Sequence, residues 1–162
     1  MSIFPTKIML AIDGSEDAQL AATIAVDVAN STDSELHVVH ARLALPWTTG
    51  YYSATEPPTT STGSEEEARQ RILQWLDGQV EAEGGSVTQA YLRLGRPDEG
   101  AITVAEQIVS LAEEIEAGLL VIGSRGLGGI RRALMGSVSD SVVRHAHCPV
   151  LVVRKEKDQA AL

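Results

Sequence analysis

Apolar positions along the chain fall into two alternating patterns. Short runs rich in β-branched and aliphatic residues occupy Lys7 to Ile12, Glu35 to Ala41, Ser86 to Leu92, Gly118 to Ile122 and Pro149 to Val153, and these predict five strands. Between them lie stretches with helical spacing. Ala18, Ala21, Ala22, Ala25, Val28 and Ala29 share one face of a first helix, and Ala101, Val104, Ala105, Ile108, Ala112 and Ile115 share one face of a third. A second helix runs from Ser64 to about Glu83. It opens on Glu65-Glu66-Glu67, carries Ile72, Trp75, Leu76 and Val80, and stops at Gly84-Gly85. A fourth, shorter helix is expected from near Ser137 to near His145.

Strand, helix, strand, repeated, predicts an α/β fold whose parallel sheet is covered by helices on both faces, because parallel neighbours need crossover connections. The last strand follows the last helix and is expected at an edge. There Leu151, Val152 and Val153 invite pairing with a second copy of the chain. Residues 1–155 are expected to form one domain, interrupted by a long loop over 43–63 rich in Pro, Thr and Ser, with 156–162 as a solvated tail.

Composition narrows the class of partner. The 162 residues carry a net charge of -9, with 44% hydrophobic and 22% charged content. That is the balance of a soluble globular domain, repelled overall by nucleic acid and by anionic membranes. No apolar run approaches the length of a bilayer span, and no signal-like segment opens the chain, so a cytoplasmic location is expected. The single cysteine, Cys148, excludes an internal disulfide.

The charge is unevenly spread. From Gly123 to Arg154 five arginines stand against one acid, Asp140, a local balance of +4 that leaves -13 for the rest of the chain. This segment opens at the end of the fourth strand with Gly123, Gly126, Gly128 and Gly129, and reaches Gly136-Ser137 where the last helix begins. Glycines let a ligand approach backbone amides, and amides at a helix N-terminus attract anions. Phosphate is the natural candidate. A purely structural reading stays open beside it: the glycines as turns, and Ser137 with Asp140 as a capping box. Neither a P-loop nor a G-x-G-x-x-G dinucleotide fingerprint is present.

Gly123-Ser124-Arg125-Gly126, nine residues, then Gly136-Ser137 resembles the G-x-x-G, nine residues, G-[ST] signature of ATP-binding universal stress proteins. The likeness extends over nearly the whole chain, from Ile8-Met9-Leu10-Ala11-Ile12-Asp13 to the final strand. It implies a five-stranded parallel sheet in the order 3-2-1-4-5, with the ligand where that order reverses. It further implies that Asp13 accepts hydrogen bonds from the ribose or nearby nucleotide groups, and that backbone at Ala11 and Ala41 meets the adenine. Gly123 and Gly126 would permit close approach of ribose and phosphates. Gly136, Ser137, Val138 and Ser139 would offer amides and hydroxyls to the phosphate chain, with Arg125, Gly129 and Arg131 contributing from the loop. The implied ligand is ATP, normally carried with Mg²⁺. The implied protein is a homodimer joined through its edge strand, whose nucleotide state adjusts contact with another protein. Slow ATP hydrolysis, self-phosphorylation at Ser137, Ser139 or a loop threonine, and a scaffold without nucleotide are the alternatives. No residue pattern assigns a general base.

Other residues read as structural. His145-Ala146-His147-Cys148 is expected to close a helix rather than hold a metal. His37 and His40 are expected to point to opposite faces of one strand. Trp47, Tyr51 and Tyr52 in the long loop are open to three readings: a cover, a docking patch, or no fixed role.

Overall fold

The computed structural model describes residues 2–43, 65–95, 103–125 and 135–155. The elements run in strict alternation: β1 (Lys7–Ala11), α1 (Glu16–Thr32), β2 (Glu35–Leu43), α2 (Glu65–Glu81), β3 (Gln89–Gly95), α3 (Val104–Glu114), β4 (Leu119–Gly123), α4 (Ser137–His145) and β5 (Val150–Val153). The strands form one sheet in the order β3-β2-β1-β4-β5, and every neighbouring pair is parallel. The α/β class and strand order expected of the sequence are therefore those of the structure.

Local sequence explains where the helices begin and end. Ser15 has extended backbone and its hydroxyl accepts from the Ala18 amide, with Glu16 and Asp17 in the first turn facing the positive dipole end of α1. Asp33 closes α1 in the left-handed region, a conformation that a short polar side chain tolerates. Thr103 and Glu106 form a reciprocal capping box at the start of α3.

Chain direction decides which face each helix covers. From β1 the chain steps one way to β2 and β3, then crosses back to β4 and β5. Right-handed crossovers place the helices of those two excursions on opposite faces. Accordingly Ile8, Leu10, Leu36, Val38 and Val121 pack with α1 and α2, whereas Met9, Val39, Leu120 and Ile122 pack with α3 and α4. β4, and β1 from Ile8 to Ala11, are buried on both faces and apolar throughout, whereas β2 also buries His37 and His40. No helix among the described residues is long and apolar enough to cross a membrane.

Several strand boundaries differ from expectation. β1 ends at Ala11 rather than Ile12, so Asp13 lies two residues beyond the strand. β2 continues to Leu43, and β3 occupies Gln89–Gly95 instead of Ser86 to Leu92, because its pairing begins at His37↔Gln89 and follows β2 to Leu43↔Gly95. Positions 44–63 of the expected loop, Ala101, and the 156–162 tail lie outside the described residues.

Candidate functional site

The strand order reverses between β1 and β4, and the loops that leave their carboxyl ends diverge over opposite faces of the sheet. On the β1 side, Asp13 Oδ1 accepts from the Ser15 amide at 2.9 Å. Gly14 between them has φ of 87°, a left-handed conformation that favours glycine. This turn sets the Asp13 carboxylate at the mouth of the crevice. Ser15 then joins the two loops, since its hydroxyl donates to the Arg125 carbonyl at 3.2 Å.

On the β4 side the organising residue is Ser124, which is fully buried. Its amide donates to the Val153 carbonyl at 2.7 Å, and its carbonyl accepts from the Gly136 amide at 2.6 Å. Its hydroxyl donates to Asp17 Oδ2 at 2.7 Å, while Asp17 Oδ1 accepts from the Lys155 amide. One residue thus holds β5, α1 and the start of α4 to the end of β4. In the sequence Ser124 fills an unspecified position of the glycine spacing, and Asp17 looks like an ordinary first-turn acid. Neither carries a signal that would have singled it out.

The structure brings Asp13, Gly123, Arg125, Gly136, Ser137, Val138 and Ser139 to this crevice through those bonds, with Ala11 buried at the end of β1 and Ala41 half-buried on β2. Gly126, Gly129 and Arg131 lie outside the described residues. Gly136 is the N-cap of α4, with extended backbone and no side-chain cap bond. The Ser137, Val138 and Ser139 amides are first-turn donors with no acceptor inside the helix. Arg125 adds a buried Nε that has no hydrogen-bond partner. First-turn amides left open in this way can hold an anion, and a guanidinium can bond the same kind of ligand.

Two expectations need correction here, and Gly123 shows a packing role the spacing did not announce. Ser137 and Asp140 form no capping box: Gly136 is the cap, and the Asp140 carboxylate bonds Arg144 instead, at 2.9 Å. A Cβ on Gly123 would fall 2.9 Å from the Ala18 nitrogen and from Asp17, so glycine at this position admits the first turn of α1. The Ser139 hydroxyl is buried and donates to the Ser124 carbonyl at 2.7 Å, which turns it away from any phosphate and leaves only the amide for that task.

The family model for universal stress proteins matches residues 5–154. The chain belongs to the universal stress protein family. A universal stress protein of Methanocaldococcus jannaschii is 33% identical over 153 residues, spanning 94% of this chain and 84% of that protein. Two solved structures share the fold. A universal stress protein in complex with cAMP superposes with a TM-score of 0.63 at 23% identity, covering 94% of this chain and 99% of that one. The universal stress protein of Archaeoglobus fulgidus in complex with dAMP gives a TM-score of 0.58 at 23% identity, with the same coverage.

In this universal stress protein the histidines are distributed as strand and helix geometry dictates. His37 contacts Tyr91 and Glu35 toward the α3 face, whereas His40 stands edge-on to Trp75 of α2. At the end of α4, His145 donates from Nδ1 to the Ser141 carbonyl at 2.8 Å, and His147 pairs with Glu113 of α3. Burial raises the pKa of the Cys148 thiol, as suits a packing residue.

Proposed function

We propose that this universal stress protein binds ATP in the crevice between β1 and β4 and acts as a homodimer whose nucleotide state governs its contact with another protein. The observation that carries the reading is the start of α4, an N-cap without a side chain at Gly136 followed by three first-turn amides with no acceptor inside the helix; Arg125, just past the end of β4, has a buried Nε without a hydrogen-bond partner. Phosphates would take the place that a capping side chain fills elsewhere. Asp13, in the turn after β1, would accept from ribose hydroxyls. The complexes of related universal stress proteins with cAMP and dAMP support an adenine nucleotide as the ligand class. Mg²⁺ would arrive with the triphosphate.

Support for self-association comes from the sheet edge. β5 pairs with β4 on one side, and Leu151 on β5 and Val143 on α4 are both exposed. An unpaired apolar edge is a template for a second copy.

Isothermal titration of nucleotide-stripped protein with MgATP tests the reading. Saturable binding of one ATP per chain is expected, and Gly136→Asp should abolish it by placing a carboxylate over the same amides while preserving the helix cap. Heat signals that never saturate in the wild type would refute the proposal. Mass spectrometry of small molecules released from freshly purified protein identifies the nucleotide held, and light scattering of wild type against Leu151→Lys tests the dimer.

A further inference from the structure

His40 is buried, at 4% exposure, and only half of its hydrogen-bonding capacity is used. Nδ1 lies 2.8 Å from the Ile12 carbonyl, which can only accept, so Nδ1 carries the proton. Nε2 is buried with no partner. An orphaned ring nitrogen is costly, and an aliphatic residue would fill the same space without that cost. The ring is explained by what Nδ1 does.

What it does follows from the ladder between β1 and β2. The Ile12 amide donates to the Val39 carbonyl at 2.9 Å. In a parallel ladder both polar groups of one residue face the same neighbour, and the next bond would run from the Ala41 amide to the Ile12 carbonyl. That carbonyl is the one His40 occupies. Among the described residues the β1–β2 ladder stops at Ile12, and the regular pairing stops at Ala11↔Val39. The Ala41 amide and carbonyl therefore face β1 where its chain has turned away toward Asp13 and Gly14. An amide and a carbonyl of one residue, side by side at the lip of the crevice, match an acceptor and a donor on the edge of a purine.

We propose that His40 is a positioning residue that ends the β1–β2 ladder by capturing the Ile12 carbonyl, and so leaves the Ala41 backbone free to read the base of the nucleotide. The inference rests on the nucleotide reading for its ligand, but the strand geometry is testable without one. Adenine presents a ring nitrogen acceptor and an amino donor to that pair. Guanine presents a carbonyl and a ring N–H at the same edge, so the register of donor and acceptor is reversed.

The first test uses ligand-free protein and amide hydrogen exchange. In the wild type the Ala41 amide should exchange rapidly compared with Val39. In His40→Phe, which keeps a ring and removes the donor, Ala41 should become protected as its amide takes the Ile12 carbonyl. His40→Asn, which can place an amide donor at the same position, should leave Ala41 unprotected. A protected Ala41 amide in the ligand-free wild type overturns the proposal, as does unchanged exchange in folded His40→Phe. The second test is titration with MgATP and MgGTP. His40→Phe should weaken ATP binding by about tenfold and narrow its preference over GTP, with affinity recovered in His40→Asn. Trp75→Phe, which alters the contact behind the ring without touching Ile12, should bind ATP as the wild type does. Equal ATP affinity in wild type and His40→Phe overturns the proposal. Absence of ATP binding by the wild type would instead refute the function proposed above, with the exchange result still deciding the role of His40.

Discussion

Replacing Ser124 with Ala removes one hydroxyl from the joint where β4, β5, α1 and α4 meet. The backbone bonds of Ser124 to Val153 and Gly136 survive the substitution, so the perturbation is confined to the contact with Asp17. That contact is short, at 2.7 Å, and its partner is a carboxylate on a residue only 9% exposed. A hydrogen bond to a charged group contributes about 1.5–3 kcal/mol, and here water cannot readily replace the lost donor. The expected loss is about 2 kcal/mol, which for a chain of this size lowers Tm by about 4–8 °C. Differential scanning calorimetry at neutral pH measures it. Ser139→Ala provides the comparison, because the Ser139 hydroxyl donates to neutral carbonyls of Ser124 and Gly136 and its loss should cost about half as much. A Ser124→Ala shift below about 1 °C, or one no larger than that of Ser139→Ala, would refute the assignment of a charge-assisted bond at this joint.

Glycine-to-alanine substitutions should act in opposite directions at two positions. Gly123→Ala drives a Cβ into the backbone of the first turn of α1 and should cost about 1–3 kcal/mol, whereas Gly78→Ala, in open space on α2, should stabilise by about 1 kcal/mol; thermal melts of both variants check the pair. Burial, together with Arg42, holds the His40 pKa below its ordinary value of 6.5, against the Ile12 bond and Asp13, which favour the charged form. The unfolded chain therefore binds a proton that the native ring resists. This contribution to stability is complete above pH 6.5 and is lost as pH falls from there toward the lowered native value. Tm measured from neutral pH down to about 5 should fall less steeply in His40→Asn than in the wild type. Arg125→Gln should weaken MgATP by about tenfold and AMP by less, since the guanidinium is assigned to the phosphate chain; equal losses for both nucleotides would move Arg125 out of that role.

The alternation of elements was legible because each pattern is local. Strand runs such as Lys7 to Ile12 and helix stripes such as Ala18 to Ala29 announce themselves by period, while the order of the strands in the sheet came from the family resemblance. The limits of β3 were not legible in the same way. Arg93 and Gly95 are poor strand residues, yet they extend because β2 offers partners as far as Leu43. The crevice was legible through its glycine spacing, but the tasks of its residues were not. Nothing in the spacing announces that Gly123 admits the first turn of α1, and the Ser139 hydroxyl resembles a phosphate ligand until it is found donating to the Ser124 carbonyl.

Sequence alone therefore determined which segments are strands and helices, their order, and the end of the sheet at which a ligand is expected. Those properties depend on residues close in the chain, or on topology that chirality restricts. The tertiary structure decided which residues hold the crevice together, because Ser124 meets Asp17 across 107 positions and His40 meets Ile12 across 28. Contacts at such separations leave no periodic trace, and a buried serine or histidine becomes meaningful only when its partner, or the absence of one, is in view.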